Sequence, residues 1–357
     1  MNRVGADGAP WQSDLSPLEQ ALMNELQGGF PIQERPFSQA AAWLRTTEEH
    51  LVACLERMIQ RGRISRFGPL YNVERMGGAV TLAALAAPED SFDEIAARVN
   101  AFPEVAHNYR RDHALNMWFV LATETLDGQA RLLRRIEDVT GCTVLNFPKE
   151  EEFHIGFRLH VGDAGARIER WTCRSPSRNH GFRTSPMDRA IVMATQEGLP
   201  LDVRPYHVVG ARTGFAPEQV MERMTVMLAA GAIRRLGIIP NHYGLGLAAN
   251  GMTVWDVPDD RISELGKRVG GLPFVTHCYR RPRHPPHWPF SLFAMVHGQS
   301  RDEVGDQTAH IQRVLGDAQR GHEVLFSTRI LKKNGLRLSA APNAPSVAPA
   351  LGVHESC

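Results

Sequence analysis

Two short clusters of histidine, tyrosine and arginine carry the side chains of this chain that are best suited to chemistry. One spans residues 107–111 (HNYRR), the other spans residues 277–281 (HCYRR), and each follows an apolar residue and a proline. Histidine transfers protons near neutral pH, and arginine grips carboxylates through two parallel hydrogen bonds. The clusters therefore indicate two related sites for a carboxylate-bearing ligand, or one site and its degenerate twin.

The repeat extends over most of the chain. Ser16-Pro17 recurs as Ser185-Pro186, and Gly62 recurs as Gly231, at a nearly constant offset. A constant offset over many positions indicates duplication of a whole unit, and solenoid repeats are far shorter. We therefore expect an internal duplication that gives a fused pair of similar domains.

Each half begins with a pattern typical of a winged helix-turn-helix. Ser16 and Ser185 are each followed by proline and, three residues after the serine, by a carboxylate, as in a capping box. The pattern then predicts a second helix near residues 37–44 and a third beginning at Thr46 or Ala216. Short β-rich segments follow at residues 64–73 and 233–243, which completes the motif.

DNA binding is the obvious function of such a module, but its third helix begins with acidic residues. The first turns carry Glu48 and Glu49 in one copy and Glu218 in the other. Carboxylates there would repel phosphates, whereas base recognition normally uses Arg, Lys, Asn or Gln. We therefore expect a helical scaffold and dimerisation surface rather than a DNA-binding module.

The second part of each half predicts the order strand, helix, strand, strand, helix, strand, which is ferredoxin-like. In the first half the strands are expected at residues 79–86, 105–110, 116–123 and 144–153, with helices at 91–100 and 128–140. In the second half the same order runs through residues 253–257, 261–269, 274–280, 291–296, 303–315 and 324–331. The fold class is therefore α+β, a tandem duplication of a winged helix-turn-helix and a ferredoxin-like βαββαβ domain.

The domain boundaries follow from these elements and from composition. We expect disordered tails at residues 1–14 and 339–357, a linker at 163–184, winged helix-turn-helix domains at 15–75 and 185–245, and ferredoxin-like domains at 76–162 and 246–338. A net charge of +1 disfavours a strongly basic nucleic-acid binder, and no apolar stretch predicts a membrane span. The five cysteines show no metal-binding spacing, so a reduced, cytoplasmic protein is expected.

A winged helix followed by a βαββαβ domain resembles the Lrp/AsnC family. The segments 107–119 (HNYRRDHALNMWF) and 277–288 (HCYRRPRHPPHW) more narrowly resemble the signatures of the siroheme decarboxylases, in the form that fuses two subunits. That resemblance covers about residues 15–338. It implies a carbon-carbon lyase (carboxy-lyase) that removes two acetate carboxyl groups from siroheme, giving 12,18-didecarboxysiroheme in heme d1 biosynthesis.

The resemblance also implies partners and cofactors. Siroheme brings its own conjugated system and iron, so no separate cofactor is expected. The expected partners are siroheme, its product and other subunits of the same pathway, and the chain is expected to form a homodimer or an internal pseudo-dimer. Two alternatives remain open: an Lrp/AsnC-type transcriptional regulator, and a tetrapyrrole sensor without turnover.

Roles are assigned to residues of both signatures. The catalytic candidates are His107, His113, His277 and His287, and either His107 or His277 could bind the siroheme iron. The substrate-binding candidates are Tyr109, Arg110, Arg111, Trp118, Tyr279, Arg280, Arg281, Arg283 and Trp288. Because neighbours on a strand face opposite sides, not every arginine can touch the ligand, and the tyrosines share a face with the histidines.

The two copies differ after the arginines. The second carries a proline-rich run at residues 282–289, which predicts a stiff loop. We expect the first copy to perform the chemistry and the second to be its altered partner. The histidines outside the two signatures are expected to be surface or packing residues.

Overall fold

The computed structural model describes residues 15–162, 165–169 and 182–333. The predicted tails, residues 1–14 and 339–357, lie outside the described residues. Of the described residues, 15–72 with those from 149 to 326 form one compact unit, the larger unit, and 73–148 with 327–333 form a second, the smaller unit. Within the described ranges, no helix is both long and apolar enough to span a membrane.

The larger unit contains both winged helix-turn-helix modules. The first consists of α1 (Pro17–Glu25), α2 (Pro36–Trp43), α3 (Glu48–Gln60) and β1 (Ile64–Tyr71). The smaller unit follows with β2 (Ala79–Leu85), α4 (Phe92–Asn100), β3 (Val105–Arg111), β4 (Met117–Thr123), α5 (Leu126–Thr140) and β5 (Leu145–Pro148). The larger unit resumes with β6 (Glu151–Ile155), β7 (Arg158–Gly162), β8 (Gly165–Glu169), α6 (Pro186–Thr195), α7 (Pro205–Thr213), α8 (Pro217–Ala229) and β9 (Ile233–Pro240).

The ferredoxin-like part of the second half completes the larger unit. It comprises β10 (Ala249–Asp256), α9 (Ile262–Gly270), β11 (Val275–Arg280), β12 (Leu292–Gly298) and α10 (Arg301–Leu315). The long last strand, β13 (Gly321–Lys333), begins in the larger unit and ends in the smaller one. The predicted α+β class and the repeated order of elements are confirmed.

The capping boxes predicted at the first helix of each module are present. The backbone amide of Ser16 donates to Glu19 at 2.8 Å, and that of Ser185 donates to Asp188 at 2.7 Å. Each serine hydroxyl accepts in return from the backbone amide of its carboxylate partner. Two otherwise unsatisfied donors at each helix start are thereby paired.

The two modules meet through their wings, since β1 and β9 pair as antiparallel strands. Beside that pairing, the backbone amide of Leu199 donates to the carbonyl of Phe67 at 2.8 Å. Gly68 adopts φ +152°, and a Cβ atom there would lie 2.6 Å from the backbone nitrogen of Leu199. Only glycine allows this close approach of two backbones.

Replacing Gly68 by alanine should therefore lower the free energy of unfolding by at least about 2 kcal/mol, from backbone strain and overpacking. The matched control is Gly305→Ala in α10, where, apart from the adjoining backbone of the helix itself, no atom lies within 4 Å of the added methyl group. That control should raise stability by about 0.5–1 kcal/mol. Denaturant melts of both variants measure the difference, and equal midpoints would contradict the role given to Gly68.

The sheet of each ferredoxin-like domain uses a strand from the other half of the sequence. In the smaller unit β2 pairs with β4 and β5, β4 pairs with β3, and β3 pairs with residues 327–333 of β13. In the larger unit β10 pairs with β12 and with the start of β13, and β11 pairs with β12 and β6. The strand predicted at residues 144–153 is in fact two, β5 and β6, which belong to different units.

A hairpin also forms where a linker was expected. β7 pairs with β8 at residues 158–162 and 165–169, and it packs on α1. Asn24 of α1 anchors it, donating to the carbonyl of Val161 and accepting from its amide, both at 2.8 Å. The predicted linker at 163–184 therefore begins within a strand pair, and residues 170–181 lie outside the described part of the chain.

Candidate active site

A β-bulge in each signature strand turns the histidine away from the helices. In β3 the register against β4 shifts between Val105 and His107. Val105 packs in the core beneath the helices, and the side chain of Asn108 donates to Asn100 of α4 at 3.0 Å. Ala106 and His107 are consequently both on the opposite face of the sheet. The same shift occurs between Val275 and His277 in β11.

In the smaller unit, the first signature forms a row on that opposite face. The rings of His107 and Tyr109 are 6.3 Å apart, and the guanidinium carbon of Arg111 lies 5.8 Å from the centre of the Tyr109 ring. Arg111 is buried, with 7% of its surface exposed. Lys333 lies opposite His107 in the β3–β13 ladder, and burial lowers the pKa of its ammonium group to about 8. The row thus combines an imidazole, a phenol and two cations.

In the larger unit, the second signature forms the equivalent row. His277 and Tyr279 lie 6.2 Å apart, and the guanidinium carbon of Arg281 lies 4.9 Å from the Tyr279 ring. Phe293 of β12 pairs with Tyr279 and also lies under Arg281, at 5.8 Å. As expected from strand alternation, each tyrosine shares a face with its histidine.

Arg110 and Arg280 form ion pairs with carboxylates. Arg110 binds Glu89 at 2.6 Å and covers the ring of Phe92 at 4.5 Å. Arg280 binds Glu150 at 2.9 Å. Their alternation with the histidines puts them on the helix side of the sheet. Arg111 and Arg281 lie on the same face as the histidines and tyrosines, which makes them the better placed of the signature arginines to bind a carboxylate of a ligand.

Arg283 holds the proline-rich loop. Its guanidinium group donates to Asp259 at 2.7 Å, to Asp256 at 3.0 Å and to the carbonyl of Pro289 at 2.7 Å. Although burial lowers the pKa of Arg283, these carboxylates raise it above its usual value. These contacts tie the loop to the end of β10 and the turn after it, which favours a structural role over the predicted contact with substrate.

Both predicted tryptophans are fully buried. Trp118 stacks on Phe147 with the ring centres 5.2 Å apart, and its indole donates to the carbonyl of Leu115 at 2.7 Å. Trp288 packs against Phe290 and Phe293 at 5.2 and 5.9 Å. On the strands, Trp118 pairs with Tyr109 as Phe293 pairs with Tyr279, so Phe293 and not Trp288 is the counterpart of Trp118. Such burial favours packing roles.

The two remaining histidines differ in surroundings. Nδ1 of His113 accepts from the backbone amide of Leu115 at 2.8 Å, and its ring lines a cavity. His287 is exposed, in a loop closed by a bridge between His284 and Trp288. His113 therefore lies where a ligand could reach it inside a cavity, whereas His287 lies in an exposed loop.

The cavity beside His113 lies at the end of β3 in the smaller unit and has a volume of about 390 Å³. Its lining residues are Glu89, Arg110, Arg111, Asp112, His113, Asn116, Thr328 and Arg329. Its size suits a small group or one edge of a larger ligand. The lining carries three arginines against two carboxylates, and two of these arginines, Arg110 and Arg329, form ion pairs with Glu89 and Asp93. The excess of cations favours binding of an anionic group such as a carboxylate.

His277 is uncharged at neutral pH. Burial is the largest cause, and the positive charges of Arg234, His154 and Arg281 add to it, so that the pKa of the imidazole falls to about 4. A neutral imidazole offers a lone pair, which suits a base or a ligand to iron better than a proton donor.

Several of these groups were missed from the sequence. Lys333, Arg234 and His154 come from distant strands, and His154 pairs with the signature strand through Cys278. His297, expected to be a packing residue, bonds to Thr276 beside His277 at 3.0 Å. Among the described residues, no group of three or more His, Cys, Asp or Glu side chains is arranged to hold a metal ion.

Comparisons with known proteins fit this architecture. Residues 19–64 and 188–234 match the siroheme decarboxylase NirDL-like HTH domain, and residues 75–154 and 244–332 match the AsnC-like ligand binding domain. The siroheme decarboxylase NirDL subunit of Paracoccus denitrificans is 33% identical over 327 residues, covering 91% of this chain and 98% of that one. The chain belongs to the siroheme decarboxylase family.

Further members of the family extend the comparison. A siroheme decarboxylase NirH subunit of Paracoccus pantotrophus is 54% identical over 151 residues, which covers 42% of this chain and 94% of that subunit. A crystal structure of the siroheme decarboxylase NirDL in complex with an iron-uroporphyrin III analogue superimposes with a TM-score of 0.64 at 26% identity. The match covers 88% of this chain and 92% of that one. Relatives of this family thus occur both as half-length subunits and as long chains of the present kind.

Proposed function

We propose that this chain is a carboxy-lyase that removes the carboxyl groups of two acetate side chains of siroheme, giving 12,18-didecarboxysiroheme in heme d1 biosynthesis. The observation that carries the proposal is the match over 91% of the chain to a siroheme decarboxylase subunit. The two rows of His, Tyr and Arg support it, because they combine proton-transfer groups with cations that bind carboxylates.

The chemistry requires each acetate to lose CO2 and gain a proton. The bond between the methylene carbon and the carboxylate carbon breaks, the electron pair stays on the methylene carbon in conjugation with the macrocycle, and one proton converts that carbon into a methyl group. The conjugated ring of the substrate serves as the electron sink, so the proposal includes no separate cofactor.

We assign His107 the delivery of the proton, with Tyr109 and Arg111 beside it to hold a carboxylate. His113 lines the neighbouring arginine-rich cavity and is a second proton-transfer candidate. His277, uncharged at neutral pH, is assigned the role of a base or of a ligand to the substrate iron. Tyr279 and Arg281 are the corresponding carboxylate-binding residues of the second row.

We expect the protein to act in the cytoplasm and to work with other subunits of the same pathway, since its relatives include proteins named as separate subunits.

The test is to incubate the protein with siroheme under anaerobic conditions and to follow the products by mass spectrometry. We expect a mono-decarboxylated intermediate and then a product that has lost two molecules of CO2. Siroheme that binds but stays intact would instead identify a tetrapyrrole sensor. Sequence-specific, salt-dependent DNA binding without turnover would identify a regulator.

A further inference from the structure

Behind His277 lie three buried polar side chains on adjacent strands of the larger unit. They are Thr276 (0% exposed), Asn250 (3%) and His297 (7%). The Thr276 hydroxyl lies 3.0 Å from Nδ1 of His277 and 3.0 Å from Nε2 of His297. Nδ1 of His297 in turn contacts the side-chain oxygen of Asn250. These contacts form one continuous chain from Asn250 to His277.

The backbone fixes the polarity of this chain at its far end. The Asn250 side-chain nitrogen lies 3.3 and 3.4 Å from the carbonyl oxygens of Leu247 and Ala248, which can only accept hydrogen bonds. The amide oxygen of Asn250 is therefore the atom turned toward His297. Because that oxygen accepts, Nδ1 of His297 must carry a hydrogen, and in a neutral imidazole Nε2 then accepts.

The hydroxyl of Thr276 links His297 to His277. Its hydroxyl has a single hydrogen, and two atoms that can only accept, Nε2 of His297 at 3.0 Å and the carbonyl of Met295 at 3.3 Å, compete for it. Turning this hydrogen toward His277 would leave both acceptors facing lone pairs of the hydroxyl oxygen, so that oxygen is the acceptor toward His277. Nδ1 of His277 therefore donates, and Nε2 holds the lone pair.

The first half of the chain lacks this network at the same positions. The residue before His107 is Ala106, and in the β2–β4 pair Val80 lies opposite Ala122, as Asn250 lies opposite His297 in the β10–β12 pair. Val80, Ala106 and Ala122 pack together as an apolar cluster. The fold therefore does not need polar groups here, and burying them costs free energy unless their hydrogen bonds are made.

We propose that Asn250, His297 and Thr276 are positioning residues that hold His277 as the Nδ1–H tautomer, so that Nε2 is the nitrogen left to accept a proton or to bind the substrate iron. The tautomer follows from the hydrogen bonds alone, whereas its use in the reaction rests on the proposed function. The second row of the duplicated signature is then specialised as a lone-pair donor.

The first experiment observes the tautomer directly, on the full-length protein without substrate. Long-range ¹H–¹⁵N correlation spectra of ¹⁵N-histidine-labelled protein distinguish protonated from unprotonated ring nitrogens, and His277→Gln assigns the signals. We expect protonated Nδ1 and unprotonated Nε2 at His277 in the wild type and in Thr276→Ser. Thr276→Val should give a mixture of the two tautomers.

The matched control is Thr308→Val. The hydroxyl of Thr308 is also buried but donates to the carbonyl of Val304 within α10, so this variant should leave the His277 signals unchanged. Protonated Nε2 at His277 in the wild type would overturn the proposal. Unaltered His277 signals in Thr276→Val would overturn it as well.

A triple variant tests whether a local folding defect, and not the loss of the hydrogen bonds, changes the tautomer. Asn250→Val, His297→Ala and Thr276→Ala combined reproduce the apolar cluster of the first half, which the same fold accommodates. We expect this variant to fold with both His277 tautomers populated. A single Nδ1–H tautomer in this folded variant would overturn the proposal.

The activity of the same proteins connects the tautomer to the reaction. Thr276→Val should lower kcat for siroheme decarboxylation by about 10–100-fold, the usual effect of losing a partner that orients a liganding imidazole, and Thr276→Ser should restore it. If wild type shows no turnover, the proposed function fails while the tautomer result stands. If Thr276→Val shifts the tautomer and keeps full kcat, the proposed use of the lone pair is wrong.

Discussion

His107→Ala is expected to slow the loss of CO2 from siroheme by about 10²–10⁴-fold, the contribution that a positioned proton-transfer group makes to such a step. The substrate should still bind, because Tyr109 and Arg111 remain beside the deleted imidazole. The measurement is the anaerobic single-turnover rate, with intermediate and product quantified by mass spectrometry.

Two comparison variants sharpen this prediction. His50→Ala removes an exposed imidazole of α3, bonded to Thr46, and should leave the rate unchanged. His277→Ala removes the neutral imidazole of the second row and should lower the rate of decarboxylation. The cause would be the loss of a base or of a ligand to the substrate iron, and not the loss of a proton donor. Normal turnover in both His107→Ala and His277→Ala would refute the proposed chemistry.

Arg223→Met is expected to lower the free energy of unfolding by about 3–5 kcal/mol, because it strands a buried carboxylate. Asp188 caps α6 and is completely buried, and Arg223 of α8 donates to it through two nitrogens, one at 2.7 Å. Burial alone would raise the pKa of Asp188, but the hydrogen bonds from Arg223 and Ser185 hold it below its usual value. Denaturant unfolding at neutral pH measures the loss.

The duplication provides the control for this prediction. Glu19 caps α1 as Asp188 caps α6, but its partner Arg61 is 3.8 Å away and more than half exposed. Arg61→Met should therefore lower the free energy of unfolding by less than about 1 kcal/mol.

In Arg223→Met the carboxyl of Asp188 loses its cation, so the pKa of Asp188 should rise. The deficit relative to wild type should then shrink as the pH falls toward 4. A deficit independent of pH would show that packing, and not charge, is what the substitution removes.

Local patterns were sufficient to predict most helices and strands. The capping residues at Ser16 and Ser185 and the alternation in the signature strands all act between near neighbours in sequence, and the structure confirms both. The prediction of a single strand at residues 144–153 was wrong, because this segment forms two strands that pair with different partners. The pattern of residues in a segment does not determine the strand with which it pairs. The hairpin β7–β8 has a visible signal, the alternation of buried Leu159, Val161 and Ala166, but its polar surroundings favoured a linker.

The histidine and tyrosine rows were predictable because they depend on strand alternation alone. The partners of His277 were not, since Arg234, His154 and His297 reach it from three other strands. One signal was nevertheless present in the sequence. When the two halves are aligned, Thr276 stands at the position of Ala106. A polar residue at a position that is apolar and buried in the other half indicates that its side chain has a hydrogen-bonding role there.

The smaller unit cannot complete its sheet during synthesis until residues 327–333 of β13 are available to pair with β3. Residues 73–148 leave the ribosome early, but β3 has its second neighbour only in residues 327–333 of β13. The smaller unit consequently keeps an open sheet edge until residues 327–333 have been synthesised, and an open edge is prone to pair with other chains. A premature stop anywhere before residue 327 would therefore remove a strand from a unit encoded far upstream.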